Sequence, residues 1–185
     1  MKKQFFLFTL LLVSSATIFA QGKFFTKNGH IDFFSSTPME NISAANDKVT
    51  SVFDTETGKL DFAVLIKAFE FEKALMQEHF NENYMESDKF PKSTFKGQID
   101  NISDINFKNG GSYSVTVSGD LTIHGVTKPV TARGTLDVSE GKIVATTKFS
   151  VAVADYNIEI PKLVRDQIAK NIDISVAIKY QPYTQ

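Results

Sequence analysis

Three histidines, His30, His79 and His124, are the side chains in this 185-residue sequence best suited to acid–base or metal chemistry. No two of them have metal-ligand spacing, so a site of two histidines and a carboxylate would need long-range folding. Glu78 and Glu82 are spaced like paired carboxylates on a helix, but this spacing is also typical of a solvated face. We therefore expect no metal site and no catalytic residue, and we expect His124 to be structural.

Signatures of common catalytic and nucleotide-binding sites are also missing from the sequence. It contains no G-x-S-x-G elbow, no Walker loop and no G-x-G-x-x-G fingerprint. With no Cys there is no disulfide, zinc knuckle, iron–sulfur cluster or thiol nucleophile. The 20 basic and 21 acidic residues nearly cancel, which argues against nucleic-acid binding. A non-catalytic binding protein fits this composition best.

The first 20 residues have the pattern of a secretory signal peptide. Lys2 and Lys3 precede an apolar run at residues 5–13, which is shorter than the roughly 20 residues that span a bilayer. Small residues follow, ending at Ala20. We expect cleavage after Ala20, leaving residues 21–185 as one periplasmic or secreted domain without stable membrane insertion. A retained N-terminal anchor is the alternative.

Most of the remaining chain alternates apolar and polar residues, as β-strands with one covered face do. The pattern predicts eight strands, at residues 30–37, 47–54, 59–67, 93–103, 112–123, 126–138, 142–153 and 172–180. Short turns join most of them, so neighbouring strands should be antiparallel. Such a sheet closes most economically into an up-and-down barrel, with a sandwich as the alternative.

Two segments depart from the alternation and have helical periodicity. In residues 69–84 the larger side chains fall on two adjacent ridges, Phe69-Met76-Phe80 and Phe71-Leu75-His79. Residues 161–170 begin with Pro161, which suits a first helical turn. We expect one main helix and one short second helix, capping the ends of the barrel.

Two motifs give the sequence a more specific character. The first is the hairpin at residues 119–130, which reads GDLTIHGVTKPV, and the second joins His79-Phe80, Tyr84-Met85, Lys89-Phe90-Pro91 and Thr94-Phe95. With the residue 79–95 motif preceding the hairpin in the chain, the sequence resembles the YceI-like family of secreted or periplasmic lipid-binding proteins, over about residues 30–180. That family usually has Arg-Asp where this chain has Met76-Gln77, so this corner is less polar here.

The resemblance implies an all-β, eight-stranded lipocalin-like barrel that holds an isoprenoid lipid, such as a polyprenyl or quinone tail, and no other cofactor. Flat rings and flexible thioethers conform to such a tail. We expect the ligand-binding side chains to be the inward apolar residues of the strands and the main helix, together with one histidine: Phe62, Val64, Ile66, Phe69, Leu75, Met76, His79, Phe80, Val115, Val117, Leu121, Ile123, Phe149, Ile174 and Val176.

Two other functions remain open at this point. One is an enzyme of isomerase or dehydratase type acting on a lipid in the same cavity, for which His79 is the sole candidate group. The other is a protein-interaction module whose barrel is solidly packed by its own side chains. A homodimer is compatible with all three functions.

Overall fold

The computed structural model describes residues 22–139 and 141–183. The predicted signal peptide, residues 1–20, lies outside these ranges and stays a prediction. The described strands are β1 (Lys23–Ser36), β2 (Asn41–Asp54), β3 (Lys59–Leu65), β4 (Glu70–Phe71), β5 (Lys92–Ile99), β6 (Gly111–Ile123), β7 (Val126–Ser139), β8 (Lys142–Ala152) and β9 (Asn171–Pro182). The one α-helix among the described residues is α1 (Ala74–His79), and a single π-helical turn (Phe80–Tyr84) continues it.

The eight long strands form one antiparallel sheet that closes on itself. Each pairs with its sequence neighbour along the series β1-β2-β3-β5-β6-β7-β8-β9, and β9 pairs back with β1. The two-residue strand β4 adds to the side of β2. The predicted up-and-down barrel is therefore confirmed over the sandwich.

All β-strand connections fall at one of two ends of the barrel. The helical end carries the connections at residues 37–40, 66–91, 124–125 and 153–170, and the closed end carries those at 55–58 and 100–110 and the short β7–β8 turn. Both segments predicted as helices thus lie at the same end, rather than capping opposite ends. This follows from the strand order, because the β3–β5 and β8–β9 connections leave from the same rim.

The β6–β7 hairpin shows how local sequence sets the register. Ile123 pairs with Val126, so His124 and Gly125 form a two-residue loop. Both have positive φ, 50° and 75°, as a type I′ turn requires. The turn matches the right-handed twist of the strands and places the inward residues of β6 and β7 in phase.

A hydrophobic core fills the closed end. Phe53, Leu136, Ile143, Ile178 and Tyr180 are each at most 2% exposed there. The Tyr180 hydroxyl and the Ser51 hydroxyl lie 2.7 Å apart in a hydrogen bond, so this buried polar pair is satisfied. Burial raises the pKa of Tyr180 well above its usual value.

The structure corrects several predicted boundaries, including β2, which begins at Asn41 rather than residue 47, and β5, which ends at Ile99 rather than residue 103. β1 begins at Lys23 rather than residue 30, because register shifts around Gly29 interrupt the alternation. The main helix is shorter than residues 69–84, since Phe71 is in a strand and α1 begins at Ala74. The second helix, expected at 161–170, is only a 3-10 turn (Lys162–Val164). A segment this short has little helical stability without a packing partner.

Candidate functional site

A cavity of about 370 Å³ occupies the barrel between the helical end and the closed-end core. This volume lies within the usual range for small-molecule sites, roughly 300–1,000 Å³. Leu136, Ile178 and Tyr180 line its floor, and side chains of α1 and residues 153–168 line it at the helical end.

Several inward apolar side chains that line the cavity are only partly buried, whereas others near the helical end, such as Ile66 and Phe69, are buried. Phe62, Val117, Phe149, Ile174 and Val176 line the cavity and all remain partly exposed. Ile178, four residues further along the same face of β9 than Ile174, is fully buried. The interior is therefore packed at one end and open at the other.

Four phenylalanines form a cluster where α1 meets the barrel. The Phe33 ring of β1 lies 5.5 Å from the rings of Phe69 and Phe80 and 5.8 Å from that of Phe71. Phe71 and Phe80 are 5.1 Å apart. All four line the cavity, so this end presents an aromatic wall to any occupant.

Several polar side chains of the lining lie at the helical end, while Thr135, Thr146 and Thr147 line it nearer the closed end. Those at the helical end include Glu40, His79, Tyr84 and Gln167, and no Lys or Arg is among the lining residues. Burial raises the pKa of Tyr84 by disfavouring its phenolate form. Glu40 is 3.6 Å from the ammonium group of Lys73, just outside the lining. A neutral, largely apolar occupant with a modest polar group suits these surroundings.

His124 links three segments at the helical end. Its Nδ1 donates to the carbonyl oxygen of Tyr156 at 3.1 Å, and its Nε2 lies 2.8 Å from Glu86 Oε2. Its ring also contacts Phe90 edge-on, at 4.6 Å between centroids. The expected structural role of His124 therefore has a physical basis, since it ties the hairpin to both cavity-covering connections.

Comparison with known proteins identifies the family to which this barrel belongs. A family model described as the YceI-like domain matches residues 15–180. The chain belongs to the YceI-like family. No curated protein matches the sequence.

Solved structures share the fold at low sequence identity. A polyisoprenoid-binding domain from Saccharophagus degradans, implicated in plant cell wall breakdown, has a TM-score of 0.76 at 16% identity, covering 88% of this chain and 99% of its own. Burkholderia cenocepacia BcnA has a TM-score of 0.67 at 16% identity, covering 82% and 95%. A Campylobacter jejuni YCEI protein has a TM-score of 0.60 at 16% identity, covering 75% and 84%.

Fourteen of the fifteen residues predicted to bind ligand line the cavity of this YceI-like barrel: Phe62, Val64, Ile66, Phe69, Met76, His79, Phe80, Val115, Val117, Leu121, Ile123, Phe149, Ile174 and Val176. The exception is Leu75, which is 61% exposed and outside the lining. Because α1 begins only at Ala74, the predicted ridge through Phe71, Leu75 and His79 is not a continuous helical face.

Sequence reasoning missed several lining residues. Ile31 and Phe33 lie on β1, to which no inward face was assigned, and Phe95 lies on β5. Val130 and Ala132 lie two residues apart on one face of β7, so the period-two pattern could have included them. Glu40 and Gln167 lie in irregular segments, where no periodicity identifies them.

The departure from the family motif has a visible consequence. Met76 lines the cavity where the family usually has Arg, and the Gln77 side-chain oxygen accepts a hydrogen bond from the Phe71 backbone N–H at 3.3 Å. Gln77 therefore holds α1 against β4 without a charge.

Two further observations concern the described residues alone. Within residues 22–139 and 141–183, no helix has the length and apolar character needed to cross a membrane. Over the same ranges, no three His, Asp or Glu side chains are arranged to hold a metal ion.

Proposed function

We propose that this YceI-like protein is an exported, non-catalytic carrier or sequestering protein that holds an isoprenoid chain in the barrel. The observation that carries the proposal is the set of inward apolar side chains that stay partly exposed around the cavity, Ile174 and Phe149 among them. Residues 1–20 act as its signal peptide, and its site of action is periplasmic or extracellular.

Hydrophobic burial provides the binding energy. A hydrocarbon tail that enters the cavity gains roughly 25 cal/mol for each Å² of apolar surface removed from water. The floor formed by Leu136, Ile178 and Tyr180 is apolar apart from the Tyr180 hydroxyl, which Ser51 already satisfies. The tail therefore enters first, and the polar end of the lipid lies beside His79 and Tyr84 at the helical end.

The likeness to the Saccharophagus degradans domain supports the choice of ligand class. That protein is a polyisoprenoid-binding domain, and it shares the barrel over 88% of this chain. A polyprenyl or quinone tail is flexible and apolar, which suits a cavity with rings on one wall and aliphatic side chains elsewhere.

The surroundings of His79 support a carrier rather than an isomerase or dehydratase. A general acid or base is usually oriented by a hydrogen-bonded carboxylate or carbonyl. The His79 side chain has no hydrogen-bond partner among the described residues and is exposed. A His79→Ala variant should still take up lipid, with affinity lowered only by the lost contact to the polar end, because burial of the tail provides most of the binding energy. Loss of turnover on a bound isoprenoid would instead support the enzyme.

The direct test is a pair of variants that add the same ring to opposite faces of β7. Ala132 lines the cavity, whereas the adjacent Arg133 is exposed on the outside. We expect Ala132→Phe to weaken uptake of a polyprenyl or quinone probe about tenfold, because the ring occupies space that the tail needs. Arg133→Phe should leave uptake unchanged.

Stability measurements complete this test. The cavity has room for the new ring, so Ala132→Phe should change the free energy of unfolding by less than about 1 kcal/mol, whereas overpacking a filled core costs about 1–3 kcal/mol. Equal uptake by both variants, or no uptake by the parent protein, would count against the proposal.

A further inference from the structure

Large apolar side chains are exposed in unusual number at the helical end. Leu163 is 93% exposed, Met39 71%, Leu75 61% and Leu65 47%. These four residues lie on separate connections or strand ends around the opening of the barrel. Scattered single exposures are ordinary, but a group around an opening marks an interaction surface.

Residues 161–170 have two different faces. Val164 and Ile168 line the cavity, while Leu163 lies outside it and is almost wholly exposed. Lys162, Arg165 and Lys170 are also exposed. One face of this segment thus meets the cavity, and the other presents a leucine among basic side chains.

The β1–β2 hairpin adjoins this segment. The Ala169 backbone N–H donates to Ser35 Oγ at 2.9 Å, which fixes the end of the segment against β1. Met39 lies in that hairpin, a few residues beyond Ser35. We define the rim patch as Met39, Lys162, Leu163, Arg165 and Lys170.

We propose that the rim patch docks the protein on an anionic phospholipid surface, with Leu163 and Met39 entering the interface. Such docking goes beyond holding a lipid, because it sets the opening of the barrel against the membrane from which a water-insoluble tail is exchanged. It is peripheral binding in the headgroup region and requires no membrane span.

The exposed charges indicate which side of the opening should face an anionic membrane. In the part of the chain that the structure describes, none of Lys162, Arg165 and Lys170 forms an ion pair, so all three are available to lipid phosphates. The acids nearest in sequence are Asp166 within residues 161–170, Glu159 just before them and Glu40 beside Met39, and Glu40 is paired with Lys73. The segment therefore carries a surplus of positive charge next to its exposed leucine.

The α1 side of the opening, which adjoins the β1–β2 hairpin, carries more acidic than basic side chains, and its Lys73 is paired with Glu40. Leu75 is exposed on α1, but Glu72 and Glu78 flank it, and Glu82 follows on the π-helical turn. An anionic surface repels these carboxylates. The protein should therefore approach with the 161–170 side and hold α1 away, which makes Leu75 a matched control for Leu163.

The test is flotation of the natively purified protein with vesicles of phosphatidylcholine, with or without phosphatidylglycerol. No isoprenoid is present, so the result is separate from lipid uptake. We expect binding to the anionic vesicles that weakens with added salt. Leu163→Ser should lower the partition coefficient about tenfold, and Lys162→Gln with Arg165→Gln about fivefold per residue.

Leu75→Ser should leave vesicle binding unchanged. Circular dichroism and the thermal midpoint will show that each variant is folded, which is expected because the altered side chains are exposed. Equal loss in Leu163→Ser and Leu75→Ser would overturn the proposal, as would no loss in either or equal binding to neutral vesicles. A protein that takes up isoprenoid probes but ignores anionic vesicles overturns docking alone and leaves the carrier function intact.

Discussion

Individual inward residues of one strand have different roles according to their distance from the closed end. Ile174 and Ile178 lie on the same face of β9, four residues apart. Ile178 is fully buried against the core, while Ile174 borders the cavity and is partly exposed. The same side chain is therefore a core residue at position 178 and part of the cavity wall at position 174.

Truncation of these two isoleucines should separate the roles. Ile178→Ala removes closely packed methyl groups and should cost about 2–5 kcal/mol of unfolding free energy. Ile174→Ala should cost less than about 1.5 kcal/mol, because its side chain already borders open space. Urea unfolding of both variants measures the difference. Equal, large losses would mean that the interior is packed throughout.

A second residue-scale feature lies on the outer face of the barrel. His30 Nδ1 donates to Asp47 at 2.6 Å, and His30 Nε2 lies 3.3 Å from Asp32. The hydrogen bond to Asp47 is the main cause that raises the pKa of His30 above 6.5, with the charges of both aspartates contributing and partial burial opposing.

The raised pKa predicts a pH dependence of stability. A group that binds its proton more tightly when folded stabilises the protein fully below its unfolded pKa of 6.5, and this contribution is lost as pH rises through the folded pKa. Because the side chain is 40% exposed, we expect at most about 1 kcal/mol. Urea midpoints from about pH 6 to about pH 9 should fall more in the parent than in His30→Gln. Identical pH profiles would show that the interactions of His30 with Asp32 and Asp47 contribute nothing to stability.

At the scale of elements, His124 connects the β6–β7 hairpin to the segments that cover the cavity. His124→Ala removes hydrogen bonds to Glu86 and Tyr156, and we expect a loss of about 1–3 kcal/mol. The loss should be local. Hydrogen exchange should quicken in residues 84–91 and 153–157 and stay unchanged in the closed-end core. Uniform acceleration through all strands would contradict the local role.

The elements also show what sequence patterns can predict. The alternation of β6 to β9 is nearly unbroken, so their predicted limits lie within about two residues of those observed. β1 was predicted too short because Gly29 lies at a bulge, and β2 because residues 41–46 contain only one large apolar residue, Ile42, and so show no alternation. The 161–170 segment has helical periodicity, yet Val164 and Ile168 face a cavity and Leu163 faces outward, so no packed partner supports a helix of that length.

At the scale of the whole molecule, the barrel and many of its inward apolar residues were predictable, whereas the cavity was not. Period-two patterns identify inward residues such as Val117 and Phe149, but inward residues fill a core as readily as they enclose a space. The distinction depends on the three-dimensional fit of side chains from all eight strands. Leu75 also could not be assigned from the pattern, because the direction in which its side chain points depends on where α1 begins.

The molecule combines a packed closed end, an open apolar cavity and a rim patch beside its opening. The most direct test of its central claim is mass spectrometry of an organic extract from natively purified protein. We predict an isoprenoid in the parent protein and in Arg133→Phe, and a much smaller amount in Ala132→Phe. Repeated extracts without any lipid, together with no uptake of polyprenyl or quinone probes, would contradict the claim.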